Sequence, residues 1–293
     1  MKVAITGGNG QLGRYVVDAF EPDHEVTVVD RVDLGNRQPI GPVDLLDLEK
    51  VKLALAGQQA VVHLGGLDAA VDATPEQFFH TNTIATWNVM HAGCEAGVSR
   101  FSLCSSTSAY GFSLAGQRSA PDYLPIDESH RLRASDPYGL SKRVLEEIGS
   151  GFSERENVSV SFLRPCYVAF DPLLPRLVCC KNDEPEPDGG EWKESLPPLR
   201  WVVAPEDVAQ CFRLAIENVE GLEVFNVCAD DTFSSTPTRT RVQAVFGVSI
   251  PERQPAWFDG NPFASLLDNS KAKRLLGWQP NANWDVLAKR GKG

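Results

Sequence analysis

The sequence lacks an excess of positive charge. Its 293 residues include 28 Lys and Arg against 39 Asp and Glu, so the formal net charge is −11, and no long basic run breaks this balance. Proteins that bind nucleic acids usually carry a basic patch that neutralises phosphate groups. We therefore expect no nucleic-acid partner.

Metal-binding cysteine spacings and long apolar runs are also absent. None of the seven cysteines stands in a Cys-x-x-Cys pair, and their number is odd, so we expect neither a disulfide framework nor a metal site. No apolar run reaches the ~20 residues that a membrane helix needs. The chain starts directly with a short apolar segment and a glycine turn, which leaves no room for a secretory signal. These absences predict a cytoplasmic protein with no membrane partner.

The composition that is present is typical of a globular chain. Hydrophobic residues make up 42% of the sequence, which is enough to bury a substantial core. The length suits one large α/β domain, or one domain with a smaller lobe.

The first residues predict a nucleotide-binding turn. A β-prone apolar run at 3–6 leads into Gly-Gly-Asn-Gly-Gln-Leu-Gly at 7–13, and a helical pattern follows. Glycines at 7, 10 and 13 let the backbone approach a phosphate closely, and the N-terminus of the helix offers free N–H groups to the anion. Asp30 ends the next predicted strand, where a carboxylate can accept hydrogen bonds from an adenosine ribose. A carboxylate there repels a 2′-phosphate, so NAD is expected rather than NADP. The next residue, Arg31, is the one feature that would favour NADP, because its charge attracts a phosphate.

Strand and helix patterns alternate along the first half of the chain. Buried-strand patterns at 60–64 and 101–104 flank one long helical segment at 75–97, and this alternation predicts a doubly wound parallel sheet. The apolar stripe of the long helix is expected to be core; its residues are Phe78, Phe79, Ile84, Trp87, Val89 and Met90. A serine-rich segment at 105–108 follows the later strand, at the carboxyl edge where ligands bind in such sheets.

Tyr138 and Lys142 lie four residues apart in a segment with a helical pattern. Residues at this spacing share one face of a helix. An ammonium group near a tyrosine favours the phenolate, so it can lower a pKa that is ordinarily about 10. The pair is therefore a candidate proton acceptor, although the same spacing also occurs on solvated helix faces.

Taken in order, these motifs resemble the extended short-chain dehydrogenase/reductase family, in its NAD-dependent epimerase/dehydratase group. The likeness covers nearly the whole chain. Its motifs are Gly7-x-x-Gly10-x-x-Gly13, Asp30, Asp44-Leu45, Val62-His63-Leu64-Gly65-Gly66, Ser105-Ser106-x-x-x-Tyr110-Gly111, Tyr138-x-x-x-Lys142 and Leu163-Arg164-Pro165. The resemblance implies a Rossmann fold at 1–165 that binds NAD. It also implies a smaller C-terminal α/β substrate lobe at 166–293, interleaved with the first domain.

The resemblance also implies roles for the site residues. Tyr138 would be the acid/base, Lys142 would hold the nicotinamide ribose and lower the tyrosine pKa, and Ser106 would hydrogen-bond the reacting carbinol oxygen. The implied cofactor-binding residues are Gly7, Asn9, Gly10, Gln11, Leu12, Gly13, Asp30, Arg31, Asp44, Leu45, Leu64, Gly65, Gly66, Asn82, Ser105, Tyr138, Lys142 and Pro165. The implied substrate-binding residues are Ser106, Thr107, Ser108, Tyr138 and Arg200. The family often dimerises through two long helices, so a homodimer through 75–97 and the Tyr138 helix is expected.

Departures from the family pattern bear on the reaction. Thr107 and Ser108 stand where dehydratases of the group carry Asp-Glu, so dehydration is disfavoured. Tyr167 lies where sugar-nucleotide epimerases typically have an asparagine that contacts the diphosphate. Of the two arginines that hold this diphosphate in the family, Arg200 fits one position and Phe258 falls at the other.

The leading hypothesis from the sequence is an NAD-dependent oxidoreductase that acts on a secondary or anomeric alcohol of a sugar-like substrate. The His63–Gly66 strand end and the turn at 229–232 give a partial likeness to uronate dehydrogenases. The alternatives are a sugar-nucleotide 4-epimerase and, less favoured, a catalytically idle NAD sensor. The segment 181–198, rich in proline, glycine and acidic residues, predicts a mobile loop that acts as a substrate lid or is simply solvated.

Overall fold

The computed structural model describes residues 1–34, 41–69, 71–112, 120–181 and 199–291. The predicted mobile loop 181–198 lies outside these residues except for its first position. Within the described ranges, no helix has both the length and the apolar character required to cross a bilayer.

One parallel sheet of six strands organises the described residues, in the order β2-β1-β3-β4-β5-β6. The strands are β1 (Lys2–Thr6), β2 (Glu25–Val29), β3 (Ala60–His63), β4 (Arg100–Cys104), β5 (Ser159–Pro165) and β6 (Leu222–Val227). Because every neighbouring pair is parallel, the carboxyl ends of all six strands lie along one edge. The predicted doubly wound parallel sheet is confirmed.

Helices connect and flank the strands. They are α1 (Gln11–Phe20), α2 (Leu48–Leu55), α3 (Pro75–Glu95), α4 (Pro137–Glu156), α5 (Leu174–Lys181), α6 (Pro205–Asn218), α7 (Thr238–Phe246), α8 (Ala256–Gly260), α9 (Ser270–Leu276) and α10 (Trp284–Arg290). Local chemistry explains where the long ones begin. The Thr74 hydroxyl and the Gln77 side chain form a reciprocal capping box before α3, and Asp136 accepts a bond from the Gly139 N–H before α4, with proline at the first helical position of both helices.

Helices cover both faces of the sheet, as strand periodicity requires. Successive side chains of a strand point to opposite faces, so Val3 and Ile5 pack with α1 and α6, whereas Ala4 between them packs with α2, α3 and α4. A third apolar cluster joins α5 to α10, and includes Phe233 and Trp284.

The stripe on α3 is only partly core, so that part of the expectation is wrong. Val89 and Met90 are fully buried, but Phe79, Ile84 and Trp87 are 40%, 38% and 45% exposed. The reason is that only one side of α3 faces the sheet. Apolar residues on its other side lie on the surface of this chain.

A buried ion pair joins β5 to α4. Arg164 donates from Nε and Nη2 to the two carboxylate oxygens of Glu146, at 2.9 and 2.7 Å. Their side chains are 5% and 9% exposed. The Ser105 hydroxyl donates to the same carboxylate at 2.5 Å, and Arg164 Nη1 donates to the Tyr110 hydroxyl at 2.9 Å. The pair therefore also ties down the segment that follows β4.

Glu146→Gln should lower the free energy of unfolding by about 3 kcal/mol, because it leaves the Arg164 charge buried without its counterion. Urea denaturation of both proteins measures the difference. Glu147→Gln is the matched control, since Glu147 is the exposed neighbour on the same helix. Equal stabilities for the two variants would contradict a structural role of the ion pair.

Candidate active site

The glycine turn after β1 is tightly folded. Gly7 has φ +70°, and its carbonyl accepts the Gly10 N–H at 3.0 Å. A Cβ at residue 13 would overlap the Gly7 carbonyl oxygen, so only glycine permits this contact. Gly10, which precedes α1, has no side chain to cap the helix, and the first N–H groups of α1 are available to an anion. These features fit the pyrophosphate of a dinucleotide. Gln11 and Leu12, predicted to bind the cofactor, form the first turn of α1.

Asp30 lies beside this turn, as predicted. Its carboxylate accepts the Asn9 N–H at 3.0 Å and the Val32 N–H at 3.1 Å. Arg31 is exposed. The two backbone bonds hold the Asp30 carboxylate at the end of β2, next to the glycine turn, where it can face a ribose.

Asp44 and Leu45 lie in the segment before α2. The Leu45 carbonyl accepts a bond from Asn88 at 2.9 Å, and its side chain lies against Gly65. Leu45 thus packs against the loop after β3. Two segments predicted to bind the cofactor, one with Leu45 and one with Gly65, therefore lie in contact.

His63, at the end of β3, is a hydrogen-bonded core residue. Its Nε2 lies 3.2 Å from the Thr86 hydroxyl, whose own hydrogen goes to the Asn82 carbonyl at 2.8 Å. Nε2 must therefore carry the ring proton, and Nδ1 accepts from Thr6 at 2.8 Å. Burial, and then the nearby Lys142 charge, lower the pKa of His63 to about 3. A neutral imidazole with this tautomer satisfies every contact.

Asn82, on α3, holds the loop 64–67 that follows β3. Leu64 and Gly65 continue from His63, and the Leu64 N–H donates to the Thr6 carbonyl at 3.1 Å. The Asn82 amide then bonds both backbone groups of Leu67. The loop that contains Gly65 and Gly66 is thereby held at both ends.

Lys142 is anchored at the end of β4. Its Nζ donates to the Cys104 carbonyl at 2.8 Å, and it lies 5.6 Å from the centre of the Tyr138 ring. The Phe78 ring meets the Tyr138 ring edge-on, with 6.3 Å between centroids. Because an ammonium group has three hydrogens, the bond to Cys104 leaves two for other acceptors.

The serine-rich segment forms a 3₁₀ turn at Thr107–Tyr110. The Ser106 hydroxyl accepts the Ser108 N–H at 3.1 Å, and Thr107 and Ser108 are buried. The Ser105 hydroxyl turns away to Glu146. Pro165, at the end of the neighbouring strand β5, is also buried.

A close contact places α4 against this turn. A Cβ at residue 139 would lie 2.6 Å from the Ser108 carbonyl oxygen, so the first turn of α4 touches the serine segment only because residue 139 is glycine. Tyr138 is the preceding residue. The three predicted catalytic side chains, Ser106, Tyr138 and Lys142, are thus carried by segments that contact each other.

Arg200 has an unusual environment. Its backbone is left-handed, with φ +55°, and its guanidinium carbon lies 5.2 Å from the centre of the Phe233 ring. Within the part of the chain that the structure describes, its buried Nε and Nη1 atoms have no hydrogen-bond partner. Phe258, at the other predicted anion position, is 1% exposed in the main core, so it cannot contact a substrate.

Several supporting residues were not predicted from the sequence. Glu146 and Ser141 have no place in the sequence-derived site, yet both bond to segments that hold it. A signal existed for Glu146, which lies four residues after Lys142 and so shares its helix face. Ser141 had no such signal, because its partners lie far away in sequence.

A cavity of about 410 Å³ lies at the opposite edge of the sheet, lined by Arg100, Ser153 and Asn157 among others. It opens near the amino ends of β4, β5 and β6. Since ligands bind at the carboxyl edge in parallel sheets of this kind, we do not assign the substrate to it.

Comparison with known proteins agrees with this geometry. The chain is 25% identical to a UDP-glucose 4-epimerase of Streptococcus mutans, over 96% of this chain and 92% of that protein. A short-chain dehydrogenase/reductase superfamily protein from Agrobacterium tumefaciens, solved with bound NAD, has a TM-score of 0.74 at 20% identity and covers 99% and 96% of the two chains. A mutated uronate dehydrogenase has a TM-score of 0.66 at 18% identity and covers 99% of this chain and 85% of its own.

The family itself is identified by a sequence profile. The profile of the NAD-dependent epimerase/dehydratase family matches residues 3–228, which contain the glycine turn, Asp30, the serine segment and the Tyr138–Lys142 pair. The protein is an enzyme that uses NAD, and it belongs to the NAD-dependent epimerase/dehydratase family.

Proposed function

We propose that the enzyme is a sugar-nucleotide 4-epimerase, in which Tyr138 is the acid/base. The observation that carries this proposal is the half-buried Arg200, whose buried Nε and Nη1 atoms have no partner among the described residues. Burying such donors unpaired is costly unless a ligand bonds them. A diphosphate offers that ligand, and the similar Streptococcus mutans protein is named as acting on UDP-glucose.

The predicted catalytic residues can perform the proton transfer. Bound NAD supplies the acceptor and later the donor of hydride. Tyr138 takes the proton of the sugar hydroxyl as charge develops on its oxygen, and Ser106 donates a hydrogen bond to that oxygen. Lys142, fixed to the Cys104 carbonyl, would hold the nicotinamide ribose with its remaining ammonium hydrogens, and its charge would favour the Tyr138 phenolate.

Dehydration is not part of the proposal. It requires groups that remove a proton from one carbon and protonate a hydroxyl leaving the next. Thr107 and Ser108 stand at the family positions for those groups, and hydroxyls with ordinary pKa values serve poorly as acids or bases near neutral pH.

A second candidate is an NAD-dependent oxidoreductase that removes hydride from an alcohol carbon of a sugar or sugar-derived substrate, which is the leading hypothesis from the sequence. The burial of Phe258 in the core favours it, since Arg200 then lacks its family partner and faces a single anionic group. Incubation with UDP-sugars and with free sugars and uronates separates the two. Interconverted UDP-sugars without net NADH support the epimerase, and NADH accumulating with free sugars supports the dehydrogenase.

A catalytically idle NAD sensor is the least favoured hypothesis, because Tyr138 and Lys142 are both present.

We also propose a homodimer and retain the division into domains 1–165 and 166–293. The exposed α3 residues Phe79, Ile84 and Trp87 support the dimer, because a second copy of the same face would cover them.

Tyr138→Phe should lower turnover by roughly two orders of magnitude or more, which is the scale of a lost acid/base, while NAD binding persists. Turnover is measured as interconversion of UDP-sugars by NMR, and NAD binding by calorimetry. An active Tyr138→Phe enzyme would refute the assignment of the acid/base.

Arg200→Met should raise KM for a UDP-sugar about tenfold or more, because a hydrogen bond to a charged group is lost. The methionine keeps an apolar side chain over Phe233. Arg155→Met is the matched control, since the Arg155 guanidinium also stacks on a ring, that of Phe152, at 4.4 Å. If both variants keep the wild-type KM, Arg200 does not bind the substrate.

Ile84→Glu should convert the proposed dimer to a monomer, because it buries a charge in the apolar interface. Analytical ultracentrifugation measures the mass. Leu53→Glu, on the exposed face of α2, is the control that should leave the mass unchanged. A dimeric Ile84→Glu protein would exclude this face as the interface.

A further inference from the structure

A buried hydroxyl links Tyr138 to another helix. Ser141 is fully buried, and its hydroxyl donates to the Tyr138 carbonyl at 2.7 Å. The same oxygen accepts a bond from Asn82 Nδ2, at 3.0 Å. A single side chain thus joins the first turn of α4 to α3.

The α4 helix does not need this hydroxyl for its own stability. The Tyr138 carbonyl is already the acceptor for the N–H four residues later in the helix. A serine hydroxyl that bonds back to its own helix is slightly destabilising in general. The bond from Asn82 is therefore the contact that gives Ser141 a role.

Asn82 in turn has no amide hydrogen left for other acceptors. Its Oδ1 accepts the Leu67 N–H at 2.7 Å, and its two Nδ2 hydrogens go to the Leu67 carbonyl at 3.1 Å and to Ser141. These three bonds set the amide orientation. Leu67 directly follows the glycines 65 and 66, which are predicted to contact the cofactor.

We propose that Ser141 is a positioning residue that couples the cofactor loop 64–67 to the acid/base Tyr138 through Asn82. This inference rests on the proposed role of Tyr138 and goes beyond it. A shift of the loop on NAD binding would reach Tyr138 through three successive hydrogen bonds, from Leu67 to Asn82, from Asn82 to Ser141 and from Ser141 to the Tyr138 carbonyl. The other support of the loop, from Thr6 to the Gly65 N–H at 3.2 Å, leads to His63 and not to Tyr138.

The test compares two serines of α4. Ser141→Ala removes the link, and Ser153→Ala is the matched control, because the Ser153 hydroxyl also bonds a carbonyl, that of Val158, at 2.8 Å. Tyrosines are labelled with ¹³C at the ring carbon that bears the hydroxyl, and Tyr138→Phe assigns the Tyr138 signal. The pH at which this signal titrates is then measured with and without NAD, beside kcat.

In Ser141→Ala, kcat should fall by up to roughly a hundredfold, which is the scale of a small misplacement of a catalytic group. NAD should also change the Tyr138 titration less than in the wild type. Ser153→Ala should match the wild type in both. Asn82→Ala should reproduce the Ser141→Ala effect, and the double variant should add nothing further. Asn82→Ala alone provides the test if Ser141→Ala does not fold.

The coupling would be overturned if NAD changed the titration pH of the Tyr138 signal equally in the wild type, Ser141→Ala and Asn82→Ala. It would also be overturned if the loss of kcat in the double variant equalled the sum of the two single losses, expressed as free energies. Failure of the proposed function gives a different result, because Tyr138→Phe would then remain active whatever the serine variants do.

Discussion

The buried pair between Arg164 and Glu146 is the interaction on which the rest of the site depends. Its charges are removed from water and compensated by each other, by Ser105 and by Tyr110. Such a pair contributes little net stability compared with apolar packing, but it is unfavourable to break. It thereby fixes α4 in one position against β5. Lys142, one turn before Glu146, is held at the end of β4 as a result.

Helix α4 contains both residues that anchor it to the sheet and the residue proposed as the acid/base. The face of α4 with Lys142 and Glu146 is bonded to strand ends, whereas Tyr138 in the first turn is only half-buried. Gly139 allows that turn to touch the serine segment. The contacts of Lys142, Glu146 and Gly139 therefore fix the backbone of this region, and the proposed substrate role of Arg200 depends on a side chain outside it.

The sequence predicted the sheet and the glycine turn well, because both follow from local periodicity and from short motifs. The Tyr138–Lys142 pair was predicted from its spacing together with the order of the motifs before it, and its catalytic role stays a prediction. It did not predict the bonds from Asn82 to Ser141 or from Arg164 to Glu146, since their partners are 59 and 18 residues apart. The exposed side of α3 was misjudged because an apolar residue at the surface and one in a core have the same identity. Phe258 stands where the family carries an anion-binding arginine, and the sequence alone does not show that its ring is buried in the core.

The left-handed backbone of Arg200 has a consequence for how this position would respond to selection. A residue other than glycine in that conformation costs of order 1–3 kcal/mol, and the Phe233 N–H holds the Arg200 carbonyl in place at 3.1 Å. Screening variants for heat resistance alone would favour glycine or asparagine here. Either change would relieve the strain and remove the cation, so thermal robustness and the proposed substrate recognition are opposed at this residue.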